Sequence, residues 1–188
     1  MRPDDRLLVT SHGQLLDLRT GRVTRQTLTS GDVTALTFSP DGKYLAAGDD
    51  SGQVTVWDGD VRRRRVVLPA NPAHTDHNAS SAVSALAFSP DDRTLATAGQ
   101  DGTLRLWDNA SNQSLGSSLP TSGDTVLALT FGLDGRTLQA SGEHVPLQIY
   151  GISPREVAAK VCARLDDVPP TDWQSHVTSI PHQPLCPG

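Results

Sequence analysis

The chain has 188 residues, with 16 Lys and Arg against 21 Asp and Glu, a net charge of −5 and 36% hydrophobic residues. A chain of this size can bury one core and carry an appendage. Its negative charge argues against nonspecific nucleic-acid binding, and no run reaches the roughly 18 uninterrupted apolar residues of a membrane span. Met1-Arg2-Pro3-Asp4-Asp5 lacks the n-region and h-region of a secretory leader, so the expected compartment is the cytoplasm.

The elements read in chain order as short strands separated by turns. Leu7 to Thr10 and Gln14 to Leu18 form two strands joined across Ser11-His12-Gly13, and Thr20-Gly21 turns into a third from Val23 to Leu28. From Val33 to Asp58 runs VTALTFSPDGKYLAAGDDSGQVTVWD, followed by an outer strand at Arg62 to Leu68. Residues 69–82 form a polar loop. Val83 to Asp108 then repeats the sentence as VSALAFSPDDRTLATAGQDGTLRLWD, with Leu115 to Leu119 as its outer strand. A third, degraded copy spans Val126 to Gly151. The copies start 50 and 43 residues apart, close to the roughly 40–45-residue period of a propeller blade.

The second copy shows the physical content of the repeat. Val83, Ala85, Ala87 and Phe88 alternate in part, as in a half-buried strand. Ser89-Pro90-Asp91-Asp92 turns the chain, with Pro fixing φ and Asp bonding nearby backbone. Thr94 to Ala98 is small and apolar, as suits an inner strand packed close to its neighbours. Asp101-Gly102 is a hairpin signal, and Thr103 to Trp107 alternates again. One such sheet cannot bury both faces alone, so the copies must stack.

Phe38-Ser39-Pro40-Asp41-Gly42 with Val56-Trp57-Asp58, and Phe88-Ser89-Pro90-Asp91 with Leu106-Trp107-Asp108, resemble WD-repeat β-propeller blades. The resemblance covers roughly residues 5–150. It implies an all-β fold, a partial β-propeller of about three and a half WD-repeat blades with a short C-terminal helical tail. It also implies a structural hydrogen-bond network of Trp, a strand Ser or Thr, an Asp before Gly, and a His from the preceding loop. The second copy supplies Trp107, Thr97, Asp101 and His74 in that order. The first copy keeps Trp57 but has Gly31-Asp32 in place of the His and Ser51 in place of the Asp. The third ends in Tyr150-Gly151 and puts His144 at the Asp position. Closed propellers usually need about four to eight blades. Either the chain is the last part of a larger propeller, or another chain completes the ring.

Residues 151–188 change character. Ser153-Pro154-Arg155-Glu156 is a capping box with Pro at the first helical position, and Val157, Val161 and Leu165 form one apolar stripe. Thr171-Asp172-Trp173-Gln174 starts a shorter helix, and a Pro-rich extended end follows. This tail resembles the terminal segment of large actinobacterial WD-repeat proteins and is expected to pack on the last blade.

Catalytic signals are missing from the sequence. There is no G-x-S-x-G elbow, and neither a phosphate-binding G-x-x-x-x-G-K-[ST] loop nor H-E-x-x-H. Cys162 and Cys186, the only cysteines, are too few and too far apart for a metal site. A disulfide between them is one reading, and two buried or neighbouring thiols in a reducing cytosol is the favoured one. Arg62-Arg63-Arg64-Arg65 could grip phosphates but has no interleaved aromatic to stack a base. No cofactor and no metal are expected. The expected function is a non-catalytic interaction scaffold or sensor module that binds a protein or peptide partner, as the C-terminal part of a larger signalling or regulatory protein. The alternatives are a propeller enzyme with a hydrolytic or metal-dependent site, and a truncated fragment without function. Self-association, or docking to the remaining blades of a larger propeller, is a further expectation. The loops that lead into the first strands and those between the second and third should lie on one face. There the binding candidates are Asp49, Asp50, His74, Asp76, Gln100, Asp101 and His144, while Trp57, Trp107 and Thr97 are structural.

Overall fold

The computed structural model describes residues 1–70, 81–119, 121 and 124–153. Among them are fourteen strands and no helix, so no helix is long and apolar enough to cross a membrane. The strands form four antiparallel sheets in chain order. The first holds β1 (Leu7–Val9), β2 (Gln14–Asp17) and β3 (Val23–Arg25). The second holds β4 (Val33–Phe38), β5 (Tyr44–Asp49), β6 (Val54–Asp58) and β7 (Arg64–Leu68). The third holds β8 (Val83–Phe88), β9 (Thr94–Gly99), β10 (Leu104–Asp108) and β11 (Gln113–Ser114). The fourth holds β12 (Val126–Phe131), β13 (Thr137–Gly142) and β14 (Gln148–Gly151). Two full and two three-stranded sheets agree with a partial propeller. The expected C-terminal helices, Cys162 and Cys186 lie outside the described residues.

Period-2 alternation sends successive side chains to opposite faces, and in the second strand of a sheet both faces are covered. Leu45 and Ala47 of β5 belong to the core shared with the first sheet, while Ala46 faces the core shared with the third. In β9, Leu95 faces back toward the second sheet, and Ala96 and Ala98 face forward toward the fourth. Small residues there let sheets approach closely. The strands β4, β8 and β12 lie side by side at the inner edge. Each carries a register irregularity after its first residue, at Val33, Val83 and Val126. A bulge kinks and twists a strand, and its recurrence shows that the three inner strands are one design.

The Ser-Pro-Asp turns work as the sequence suggests. Ser39 Oγ accepts from Tyr44 N at 3.0 Å and donates to Asp41 at 2.8 Å, and Asp41 accepts from Lys43 N. Ser89, Asp91 and Thr94 repeat the pattern at 2.6 and 2.9 Å. One expectation needs correction. The outer strand of the third sheet is not Leu115 to Leu119 but β11, with Ser114 opposite Trp107 and a single bridge from Leu119 to Leu104. In β7 the equivalent span from Arg64 to Leu68 pairs continuously apart from one irregularity. The excursion passes through Gly116, whose φ of +89° breaks the ladder.

Candidate functional site

In the second, third and fourth sheets the turns between second and third strands gather at one end of the stack, and each is held by a carboxylate from a different position. In the second sheet Asp49 Oδ1 accepts from Ser51 N at 3.0 Å, Ser51 Oγ at 2.7 Å and Gln53 N at 3.0 Å. In the third, Asp101 Oδ1 accepts from Thr103 N at 2.9 Å and Thr103 Oγ1 at 2.8 Å. In the fourth, His144 occupies that place, and the carboxylate comes from Asp124 in the segment leading into β12. Asp124 Oδ2 accepts from His144 N at 2.5 Å and Val145 N at 3.1 Å, while Oδ1 faces His144 Nδ1 at 3.1 Å. One task is thus done from three sequence positions.

The same end is tied together by backbone and cross-sheet bonds. Asp50 N donates to Asp32 O, Gln100 N to Ala82 O and Glu143 N to Thr125 O, fixing each turn to the segment before its inner strand. Between sheets, Thr34 Oγ1 donates to Val83 O at 2.6 Å and Thr125 Oγ1 to Gln100 O at 2.9 Å. Thr121 Oγ1 donates to Gly102 O. The outcome is a connected rim rather than separate loops.

Of the predicted binding residues, Asp50, Gln100 and His144 are exposed on this rim. Asp101 is half-buried, and its Oδ1 accepts from Thr103 N and Oγ1. Asp49 is fully buried, so it serves the turn and has no face to offer a partner. His74 and Asp76 lie outside the described residues. Asp32 and Glu143, which the sequence did not single out, are exposed beside Asp50 and His144. Their signal was present only as adjacency to candidate positions.

The predicted structural residues behave unequally. Trp107 Nε1 donates to Thr97 Oγ1 at 3.1 Å, both groups buried. One repeat earlier Ala47 stands where Thr97 does, and Trp57 Nε1 donates instead to Leu28 O at 2.9 Å.

Asp124 and His144 are coupled. The backbone N–H of His144, then its ring, hold the Asp124 carboxyl at about 2, below its ordinary 3.8. The hydrogen bond its ring donates to Asp124, with the charges of Asp124 and Glu143, raises His144 above 6.5. The carboxylate's stabilisation is therefore present above about 3.8 and lost as pH falls through about 2. That of the imidazolium is present below 6.5 and lost as pH rises through its raised value. The ring protons of His144 should titrate above 6.5 by NMR, and Asp124→Asn should bring the midpoint back toward 6.5. A midpoint indifferent to that substitution would show the pair does not form in solution.

Asp124, Glu143 and His144 place three potential ligand atoms within 4.8 Å of one another. Both Asp124 oxygens are already engaged by His144 and Val145, and three ligands on an open surface fall short of a closed metal shell.

A search of curated proteins found no match. Residues 22–58 and 70–108 match the WD domain, G-beta repeat. The first matched unit runs from β3 through β6 and the second from just after β7 through β10, so each includes the first three strands of one full sheet. Repeats of this type generally mediate protein–protein interactions and serve as non-enzymatic scaffolds. The matched units, the Ser-Pro-Asp turns and the Trp107–Thr97 bond agree, and the chain carries WD repeats at residues 22–58 and 70–108.

Proposed function

We propose that this chain is a non-catalytic interaction module that presents its turn-bearing rim to a protein or peptide. The carrying observation is the set of cross-sheet bonds, Thr34 to Val83 and Thr125 to Gln100, which hold exposed Asp50, Gln100 and His144 in one fixed frame. A preorganised surface loses little conformational freedom on binding, so more of its contact energy appears as affinity. Asp32, Asp50 and Glu143 make the exposed rim acidic, which favours a partner segment rich in Lys or Arg. The finer assignment, a scaffold or sensor segment within a larger signalling or regulatory protein, rests on the WD-repeat resemblance alone.

Peptides selected from a random library on the folded chain provide the test. Those enriched in Lys and Arg should lose about tenfold in affinity, roughly 1.4 kcal/mol, against an Asp50→Ala/Gln100→Ala variant. Selected peptides that bind this variant as tightly as the parent chain would remove the rim from consideration.

A further inference from the structure

A second surface lies at the opposite end, where the first sheet meets the second. The turn from β2 to β3, the start of β1 and the turn from β6 to β7 enclose an open cleft of about 680 Å³. Six arginines line it against two carboxylates, Asp17 and Asp60, in a chain whose overall charge is −5. The two carboxylates are already occupied. Asp60 takes Arg2 at 2.6 Å, and Asp17 Oδ1 accepts from Arg19 N and Thr20 N at 2.9 Å each, closing its own turn. Arg6 is exposed and reaches only to 3.9 Å from Asp4, which Arg2 already holds. Arg19, Arg22, Arg25 and Arg62 are exposed and pair with no carboxylate among the described residues.

Unpaired like charges repel, so a protein has no stability reason to gather them around one hollow. The walls alone would suit any polyanion, but the floor narrows the choice. It is aliphatic, with Leu7 half-buried and Leu15 and Val61 at 7% and 2% exposure. No aromatic side chain lines the cleft on which a nucleobase could stack. Arginine forks pair carboxylates bidentately, and an aliphatic floor accepts a Leu or Val side chain.

We propose that this cleft is a binding site for an acidic peptide segment whose carboxylates meet Arg19, Arg22, Arg25 and Arg62 while an aliphatic side chain rests on Leu15 and Val61. The site is separate from the rim and needs no part of it.

The test uses the whole chain and a fluorescein-labelled synthetic peptide, Asp-Glu-Leu-Asp-Glu-Leu-Asp, read by fluorescence anisotropy. Saturable binding is expected, weakened at least about tenfold by Arg19→Glu/Arg22→Glu/Arg25→Glu and largely kept by the matching Lys variant. Serine in place of both leucines should weaken the peptide, and Asp50→Ala/Gln100→Ala should leave it unaffected. Arg62→Glu, on the opposite wall, gives the same answer if the triple variant melts early. Three results would overturn the proposal. One is no saturable binding. Another is equal binding by the charge-reversed variants. The last is oligothymidylate of equal charge binding as tightly with the same losses, which would mark a nonspecific polyanion surface.

Discussion

Trp107→Ala should lower the stability of the chain by about 3–5 kcal/mol, the usual range for truncating a buried Trp to Ala. Trp107 is 6% exposed and belongs to the core shared by the second and third sheets, with Leu95, Phe88 and Val56. Removing it opens a cavity at a junction between two sheets, where neither can collapse without dragging its own ladder. It also strands Thr97 Oγ1, which is 2% exposed and accepts the indole N–H. Small domains hold only about 5–15 kcal/mol in total, so the variant should approach unfolding at 37 °C. Thr97→Ala removes the same hydrogen bond from the other side without the cavity and should cost about 1–3 kcal/mol. The two losses should not add, because they share one bond. Urea denaturation followed by far-UV circular dichroism gives all three numbers. A Trp107→Ala loss below about 1 kcal/mol would mean that this sheet junction is not packed as described.

The two tryptophans also show how far the sequence could be read. The repeat, its strands and its Ser-Pro-Asp turns were legible because each rests on local rules: alternation, a fixed φ, an Asp or Ser side chain bonding backbone a few residues away. Trp107 to Thr97 was legible only through the WD-repeat resemblance, which implies that pairing within one sheet. Trp57 to Leu28 O was not, because its acceptor is a carbonyl that any residue could supply. The turn carboxylates teach the same lesson. His144 stands at the Asp position of the repeat, and Asp124, 20 residues earlier, supplies the carboxylate. A side chain that arrives from another segment leaves no mark at the place it serves. The arginine cleft was hidden more deeply. Only the run at Arg62 to Arg65 stood out in sequence, and of that run Arg62 alone lines the cleft, while Arg65 lies 4.7 Å over the Tyr44 ring. The remaining arginines come from the first 25 residues, spaced too widely to read as a patch.

Gly48→Ala should be nearly as damaging as its size is small. A Cβ on Gly48 would stand 2.5 Å from Val83 Cγ1 and 2.7 Å from Val83 Cβ. Val83 is 1% exposed, and its Cβ is fixed to the backbone of β8, so no rotamer relieves the overlap. The second and third sheets would have to separate. Doing so pulls on the bond from Thr34 Oγ1 to Val83 O and loosens the core around Ala46 and Leu95. Overpacking of this kind costs about 1–3 kcal/mol for a methylene in an ordinary core, and the rigid contact puts Gly48→Ala at the upper end. One repeat later, Ala98 and Val126 occupy the matching positions within one core cluster. The junction of the third and fourth sheets therefore already accommodates the methyl group that the preceding one excludes. Gly116→Ala makes the useful contrast, because nothing lies within 4 Å of its added Cβ. Its cost should be the backbone strain of a φ near +89° alone, about 1–2 kcal/mol. Amide exchange separates the two. Gly48→Ala should speed exchange in β4 and β8 while sparing β13 and β14, whereas Gly116→Ala should act only around β11. If Gly48→Ala is neutral and exchange in β8 is unchanged, the second and third sheets stand farther apart in solution than Gly48 and Val83 require. The small residues of β5 would then have to be explained by something other than close approach.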